Sequence, residues 1–304
     1  MKFTIFQDSR IGRRRNNQDR IAYSYSREAL LMVVADGMGG HLHGEIAAQI
    51  TTEIIVGAFQ REARPVLDDP TRFLRHALED AHNAILDYAF DKYLPEAPRT
   101  TVVACVVQQG SAWWAHAGDS RLYVLRGGQI VEQTRDHSRV QMLIDHGAIT
   151  PDEARRHPER NRIYSCLGGD HAPQIDIAPR LTLWEEDLIA LCSDGVWGPV
   201  GDAGMVAALA DGDVMARVPE LLDRAEELGG MACDNLSIVA MRWHGGGRAA
   251  FEAIETELLA PDHFTTHMDS FDSTALAGGD TEFSDDDIER AIAEINSTIR
   301  KFSK

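Results

Sequence analysis

The sequence predicts an α+β fold in which antiparallel sheets are covered by pairs of helices. Short strand-like runs alternate with two long helical patterns in the first half of the chain. Turn signals rather than helical crossovers join many of the strand-like runs, and only antiparallel neighbours tolerate such short connections. Strands that stand between helix pairs therefore favour antiparallel sheets over a parallel dinucleotide-binding sheet.

Two long helices are predicted in the first third of the chain. Residues 45–60 follow a glycine-rich loop that runs from Asp36 to Gly44. Residues 70–92 carry apolar side chains at spacings of three and four, which is the buried face of an amphipathic helix. The side chains of that face are Leu74, Leu78, Ala81, Ile85 and Tyr88.

Strands dominate the middle of the chain. Gly127-Gly128 joins two of them and is typical of a two-residue hairpin turn. A polar stretch from Asp136 to Asn161, which includes helices at 138–146 and from Thr150-Pro151, is interpreted as a surface excursion. The remaining elements are strands at 101–108, 112–117, 122–126, 129–133, 174–183, 188–192 and 236–243, and helices at 200–209 and 214–228.

The chain changes character after Trp243. Gly245-Gly246-Gly247 is a linker signal, and the segment from Gly245 to Lys304 contains 13 acidic and 5 basic residues, a net charge of −8. Residues 285–302 are predicted to form a helix, with acids at its start and one apolar stripe. We therefore predict a globular unit of residues 1–243 and an appended segment of residues 244–304. The terminal helix either docks on its own domain or binds a partner.

Composition limits the classes of function. At 304 residues and 44% hydrophobic content, the chain is long and apolar enough for a folded core. A net charge of −18 argues against nucleic acid as a partner, because phosphate backbones require a basic surface. No run approaches the ~18 apolar residues of a membrane span, and the N-terminus lacks the apolar centre of a signal peptide. Four cysteines without a CxxC pair suggest reduced thiols in a cytoplasmic protein.

Four aspartates lie beside glycine or asparagine at the edges of apolar, strand-like runs: Asp36, Asp119, Asp194 and Asp234. A carboxylate in such a place must be solvated, hydrogen-bonded or bound to a metal. Each one alone is typical of a helix cap or a turn. Together, and without clustered histidine or cysteine, they indicate one centre of hard oxygen ligands for Mg²⁺ or Mn²⁺ rather than zinc.

These aspartates belong to an ordered set of motifs. Downstream of the run Arg14-Arg15-Asn16-Asn17-Gln18-Asp19 come Asp36-Gly37, Gly118-Asp119-Ser120-Arg121, Ser193-Asp194-Gly195 and Asp234-Asn235. Over residues 1–243 the set resembles the signature of the metal-dependent type-2C serine/threonine protein phosphatases, in their compact bacterial form. The resemblance implies a four-layer α/β/β/α sandwich of two antiparallel sheets, with a binuclear metal cleft at one end.

The resemblance also implies how two metal ions would be held. Asp36 matches the aspartate that bridges two Mn²⁺ or Mg²⁺ ions, and the carbonyl of Gly37 matches a ligand of one of them. Asp194 and Asp234 match ligands of the second ion. Two ions about 3.5–4 Å apart lower the pKa of a shared water towards neutrality, so that hydroxide attacks phosphorus in line. Glycine after Asp36 lets the backbone approach the ion, where a side chain would obstruct it.

Two further aspartates have weaker matches. Asp19 matches a residue that acts through metal-bound waters, and Asp119 matches a ligand of a third, weaker ion. Two departures from the family pattern affect these positions. Gln18 replaces a common glutamate and makes one water contact neutral, whereas Gly198 replaces an aspartate of some members and weakens the case for a tight third ion.

Arg14 matches the family's phosphate-clamping arginine, and a guanidinium offers two parallel donors to phosphate oxygens. Arg13 and Arg15 are alternatives for that role, and three adjacent arginines are also typical of a solvated basic run. His41 is a candidate for protonating the leaving oxygen, since imidazole titrates near pH 7. A structural role is the alternative for His41, because the histidine of the eukaryotic relatives directly follows the Asp-Gly pair, where this chain has Met38.

The resemblance implies a cytoplasmic phosphatase that hydrolyses phosphoserine and phosphothreonine in protein substrates and opposes a Ser/Thr kinase. Attack by metal-activated water requires no covalent phosphoenzyme. Asp136-His137-Ser138 resembles the start of the mobile flap beside the cleft, and a plain surface loop is the alternative. The alternative function is a catalytically weak, phosphatase-like regulatory module that acts by binding partners. Such a module would lack metal ligands, and this chain retains them.

Overall fold

The computed structural model describes residues 1–38, 43–154, 156–245 and 254–255. As the sequence predicts, short strands alternate with two long helices in the first half of the chain. The strands are β1 (Lys2–Arg10), β2 (Asp19–Tyr25), β3 (Ala29–Met38), β4 (Arg99–Thr100), β5 (Val102–Gln108), β6 (Ser111–Ala117), β7 (Arg121–Arg126), β8 (Gln129–Gln133), β9 (Asp176–Ile177), β10 (Leu181–Thr182), β11 (Leu188–Cys192), β12 (Leu236–Gly245) and β13 (Ile254–Glu255). The helices are α1 (Gly44–Glu62), α2 (Pro70–Asp91), α3 (Arg139–Asp145), α4 (Pro151–Ala154), α5 (Asp194–Leu209) and α6 (Val214–Gly229).

Two sheets form the centre of the molecule. The first has the strand order β13-β1-β12-β11-β7-β8, and the second has the order β10-β6-β5-β3-β2, with β4 beside β3 and β9 beside β6. Each of these pairings is antiparallel. The prediction of antiparallel sheets is therefore confirmed.

Three layers of apolar side chains hold the sandwich together. One lies between the two sheets, a second between the second sheet and α1 and α2, and a third between the first sheet and α5 and α6. Strand β3 contributes to two of them, because successive side chains point to opposite faces. Leu31 and Val33 pack towards the helices, whereas Leu30, Met32 and Val34 pack towards the other sheet. This is the four-layer α/β/β/α arrangement that the resemblance implied.

Several elements lie close to their predicted positions, and local interactions explain why. The side chain of Asp69 accepts a hydrogen bond from the backbone of Arg72, and Pro70 occupies the first position of α2. Arg126 pairs directly with Gln129, so Gly127-Gly128 forms the predicted two-residue hairpin. The predicted helix limits at both ends of α1 and α2 differ from the observed limits by two residues at most.

Other elements differ from their predictions. Helix α5 begins at Asp194 rather than at residue 200, and it is kinked at Gly201. The strand predicted at 174–183 is reduced to the short β9 and β10, because Pro179 lies between them and has no backbone donor for a ladder.

The first sheet continues past residue 243, since β12 ends at Gly245 and β13 pairs with the start of β1. The predicted helix at 285–302 lies outside the described residues. Among the helices that are described, none combines the length and the apolar character that crossing a membrane requires.

Candidate metal centre

Five aspartates lie at strand ends that the fold brings together. Asp19 begins β2 and lies opposite Asp36 of β3 in the antiparallel register. Asp119 follows β6, Asp194 follows β11, and Asp234 lies two residues before β12. Asp19 and Asp36 belong to one sheet, whereas Asp194 and Asp234 flank strands of the other. The cluster therefore spans the gap between the two sheets.

The charges of these aspartates act on one another. Burial of the Asp36 carboxylate raises its pKa well above the ordinary value, and the negative charges of Asp19, Asp194, Asp119 and Asp234 raise it further. The Asp36 carboxyl also lies within hydrogen-bonding reach of those of Asp19 and Asp194. Acidic groups this close favour a bound proton or a cation between them. The four aspartates singled out in the sequence, and Asp19 with them, thus converge in one place.

Asp19 is buried and has one oxygen without a donor. Burial raises the pKa of Asp19 to about 6, against the effect of hydrogen bonds from Ser193 and Ser237. The Ser193 hydroxyl donates to Oδ2 of Asp19 at 2.8 Å. Oδ1 of Asp19 is buried and has no hydrogen-bond partner within the described part of the chain. A carboxylate oxygen left in this way fits a site that takes up a cation or its water ligands.

Asp194 connects the first sheet to the cluster at the start of α5. Burial raises the pKa of Asp194 to about 7, and the charges of Asp234 and Asp19 add to this effect, whereas Arg14 opposes it. Ser193 is the N-cap residue of α5, but its side chain makes no capping bond. Its hydroxyl instead donates to Asp19, so the side chain at the helix cap holds a carboxylate of the acidic cluster in place.

Near its end, β3 contains a position that only glycine can occupy, Gly37. The backbone carbonyl of Asp36 accepts a hydrogen bond from Thr101, 2.8 Å away, and the amide of Gly37 donates to Gln18, 3.1 Å away. A Cβ on Gly37 would lie 2.3 Å from the carbonyl oxygen of Gly44. Because that contact is with backbone, a larger residue would push the start of α1 away from Asp36.

Asp119 is placed next to Asp194. Burial raises the pKa of Asp119 well above its ordinary value, the charges of Asp194 and Asp136 add to this, and Arg121 opposes it. The indole N–H of Trp197, one turn into α5, donates to the backbone carbonyl of Asp119 at 3.0 Å. The loop after β6 is thus held against the start of α5, where Asp119 and Asp194 face each other.

Arg14 lies at the exposed side of the cluster. Nη2 of its guanidinium donates to Oδ2 of Asp234 at 2.6 Å, and the Arg14 side chain is 57% exposed. This hydrogen bond raises the pKa of Arg14, and the charges of Asp194 and Asp36 also act on it. Arg14 is therefore the cation at the rim of the acidic cluster, with donors that remain open to solvent.

The three residues Asp136-His137-Ser138 are all buried. The expectation of a surface excursion that begins at Asp136 is therefore wrong for these residues. Arg121 donates to both carboxylate oxygens of Asp136, at 2.8 and 2.9 Å. The His137 amide donates to the carbonyl of Gly118 at 2.9 Å, and His137 Nδ1 accepts from the Gly118 amide at 3.2 Å. The segment is therefore fixed to the loop that carries Asp119.

A second group with metal-ligand side chains was missed in the sequence. Ligand atoms of His116, His137 and Asp176 all lie within 4.8 Å of one another. His137 Nδ1 accepts from Gly118, so a neutral His137 carries its proton on Nε2, which lies 3.3 Å from Asp176. Nε2 would have to lose that proton to bind an ion, and the two imidazoles stack instead of converging on one point. The group serves as a structural brace, in which the stacked rings join β6 to the segment that carries His137. Its only sequence signal was a histidine, His116, inside an apolar strand.

His41, the candidate acid, lies outside the described residues, as do the two residues before it. The structure therefore bears on Arg14, Asp19, Asp36, Gly37, Asp119, Asp194 and Asp234, which it brings together, and not on His41.

Comparison with known proteins gives a consistent picture. Residues 6–225 match the family model described as protein phosphatase 2C. The serine/threonine protein phosphatase PstP of Mycobacterium tuberculosis is 34% identical over 229 residues, which are 74% of this chain and 42% of PstP. The chain thus spans less than half the length of that relative. Protein phosphatase PhpP of Streptococcus pneumoniae is 30% identical over 247 residues, which are 79% of this chain and 98% of PhpP.

Solved structures share the fold. The catalytic domain of PstP in complex with two manganese ions superposes with a TM-score of 0.67 at 30% identity, covering 79% of this chain and 98% of that domain. The serine/threonine phosphatase Stp1 from Staphylococcus aureus superposes with a TM-score of 0.71 at 31% identity, covering 80% of this chain and 95% of Stp1.

Proposed function

Because the chain belongs to the protein phosphatase 2C family, we propose that it is a metal-dependent phosphatase that removes phosphate from serine and threonine side chains of proteins. One observation supports this activity above the others. Four carboxylates, from both sheets and the loop between them, surround that of Asp36, and a cationic side chain stands at their rim. A cluster of five acids is costly in a fold unless cations offset its charge.

The donor set fits Mn²⁺ or Mg²⁺. All side-chain ligands in the cluster are carboxylates, which are the oxygen ligands that these ions prefer. The unsatisfied Oδ1 of Asp19 supports the presence of a further positive group. We assign Asp36, Asp194 and Asp234, with the carbonyl of Gly37, as holders of two ions. The two ions would supply Lewis acidity and lower the pKa of water towards neutrality.

Two other aspartates have supporting roles in the proposal. Asp19 is held by the hydroxyl of Ser193 and would act through water, which its buried, unpartnered Oδ1 could bind. Asp119 lies against Asp194, and the two would share a third, weaker ion. Arg121, whose charge opposes the rise in the pKa of Asp119, is already bound to Asp136.

Arg14 would orient the phosphate. Its guanidinium is exposed at the rim and makes a single hydrogen bond to Asp234, so most of its five donors are available. Paired donors of a guanidinium match two oxygens of a phosphate monoester and hold phosphorus in one orientation. The same contact favours the dianionic substrate over the neutral product alcohol.

The domain arrangement and the cellular role extend the same proposal. Residues 1–243 would be the catalytic unit, and residues 244–304 an acidic appendage. The natural opponent would be a Ser/Thr kinase that phosphorylates the same proteins. We place both in the cytoplasm, which agrees with four unpaired thiols, those of Cys105, Cys166, Cys192 and Cys233.

The test is hydrolysis of p-nitrophenyl phosphate and of a phosphothreonine peptide by the full chain, with Mn²⁺ and with EDTA. We expect activity with Mn²⁺ and none with EDTA. Asp36→Asn should lower kcat/KM by much more than tenfold, or about 1.4 kcal/mol of barrier. Glu227→Gln, on an exposed ion pair of α6, is the matched control. An Asp36→Asn variant that stays within tenfold of the control, or wild-type activity that EDTA leaves intact, would refute the assignment.

A further inference from the structure

An arginine turn lies beside the acidic cluster. It joins β1 to β2, spans residues 11–16, and carries three consecutive arginines, all exposed. Arg14 pairs with Asp234. The side chains of Arg13 and Arg15 make no ion pair with any residue that the structure describes. Two exposed guanidinium groups thus lie next to Arg14 in the chain.

Hydrogen bonds fix this arginine turn in position. The side-chain amide of Asn235 donates to the carbonyl of Ile11 at 2.9 Å and to that of Asn16 at 3.0 Å, so it closes both ends of the turn. The backbone amide of Arg13 donates to the carbonyl of Cys233 at 3.0 Å. Since Asn235 directly follows Asp234, the loop that holds the cluster also holds the turn. The backbone that carries Arg13 and Arg15 is therefore fixed beside Asp234.

A phosphorylated segment must pass over this turn to bring its phosphate to Arg14 and the cluster. The exposed side chains of Arg13 and Arg15, the chain neighbours of Arg14, would then lie within reach of the residues that flank the phosphate. The net charge of −18 on the whole chain disfavours the approach of acidic segments in general, so a local group of arginines is needed to bind one. Charges at the rim of a binding site act chiefly on specificity and on the rate of encounter.

We propose that Arg13 and Arg15 select phosphorylation sites flanked by aspartate or glutamate. The inference rests on the proposed phosphatase activity and names its substrate class, phosphoserine and phosphothreonine in acidic segments. Each exposed guanidinium–carboxylate contact contributes modestly, so the two together should favour acidic over neutral flanks by roughly 3- to 10-fold. Salt should weaken this preference, because both partners are exposed.

The experiment compares three phosphothreonine peptides of equal length whose flanks are acidic, neutral or basic. The measured quantity is the ratio of kcat/KM for the acidic peptide to that for the neutral one, with Mn²⁺, at low and high NaCl. The variants are Arg13→Gln/Arg15→Gln and a control, Arg72→Gln/Arg75→Gln. The control removes the same charge from the exposed face of α2, in another layer of the fold.

In the wild type and the control, we expect a ratio of roughly 3 to 10 at low salt, driven by KM and reduced by NaCl. In Arg13→Gln/Arg15→Gln the ratio should fall close to one. A wild-type ratio near one, or a ratio that the double substitution leaves unchanged, overturns the inference. Hydrolysis of the neutral peptide tests the proposed function separately. If no peptide is hydrolysed, fluorescence anisotropy of labelled acidic and neutral peptides still measures whether the arginines discriminate.

Discussion

The contact between Gly195 and Asn235 sets how closely two parts of the cluster approach. Asp194-Gly195 begins α5, and Asp234-Asn235 precedes β12. In Gly195→Ala, the new Cβ would lie 1.9 Å from the carbonyl oxygen of Asn235, whereas real Cβ contacts do not fall below 3.0 Å. The obstacle is backbone, so the two loops must separate by roughly 1 Å, a displacement that typically costs about 100-fold in rate. Metal coordination tolerates only about 0.2 Å, so Mn²⁺ affinity should fall as well.

The assay measures Mn²⁺ binding by isothermal titration calorimetry and kcat/KM for p-nitrophenyl phosphate, with thermal unfolding as a check on folding. Gly198→Ala is the matched control, because it lies in the same helix and its Cβ would meet no atom within 4 Å. The control should retain wild-type binding and activity. If a folded Gly195→Ala protein binds Mn²⁺ as tightly as Gly198→Ala, then the loops of Asp194 and Asp234 do not jointly hold an ion, and the assignment fails.

Three further predictions follow from contacts in and around the cluster. Arg14→Ala should raise KM for a phosphopeptide by at least about tenfold, which is the lower end for loss of a charge-assisted hydrogen bond, and should change Mn²⁺ affinity less. A larger change in Mn²⁺ affinity than in KM, measured by titration, would exclude Arg14 as the phosphate-binding residue. The next prediction concerns the metal-free protein in EDTA. Burial raises the pKa of Asp19 to about 6 and that of Asp194 to about 7. The folded state then holds more protons than the unfolded chain, so thermal stability should fall as pH rises from about 4 to 7. A melting temperature that climbs over this range would contradict the reasoning. Asp136→Asn removes the two-point carboxylate contact of the buried Arg121 guanidinium, which keeps Asp202 as an ion-pair partner, and should cost about 1–3 kcal/mol in urea unfolding, against less than about 1 kcal/mol for Glu227→Gln.

Local patterns in the sequence were sufficient for most of the elements. The apolar spacing of α2, the proline at its start, and the glycine pair of the β7–β8 hairpin each act within a few residues. The kinked start of α5 was not predictable in this way. Gly195, Gly198 and Pro199 are poor helix formers, yet the helix begins at Asp194 because that turn packs against the loop before β12.

The ordered motifs predicted which aspartates belong together, but not how they are held. Ser193 donates to Asp19, 174 residues away in the chain, and a helix-cap position gives no sign of such a partner. The brace of His116, His137 and Asp176 was missed for the same reason, since its three members come from separate strands and loops. Such contacts depend on sheet register, which is a property of the whole fold.

The position of the cluster across the gap between the sheets has a consequence for the apolar residues far behind it. Asp19 and Asp36 are carried by one sheet and Asp194 and Asp234 by the other, so side chains such as Met32 and Met241 act as spacers that set the distance between the two halves. Substitutions that change the volume of these apolar side chains would alter catalysis without altering any metal ligand. Bound divalent ions would, in turn, cross-link the two sheets at this end of the sandwich.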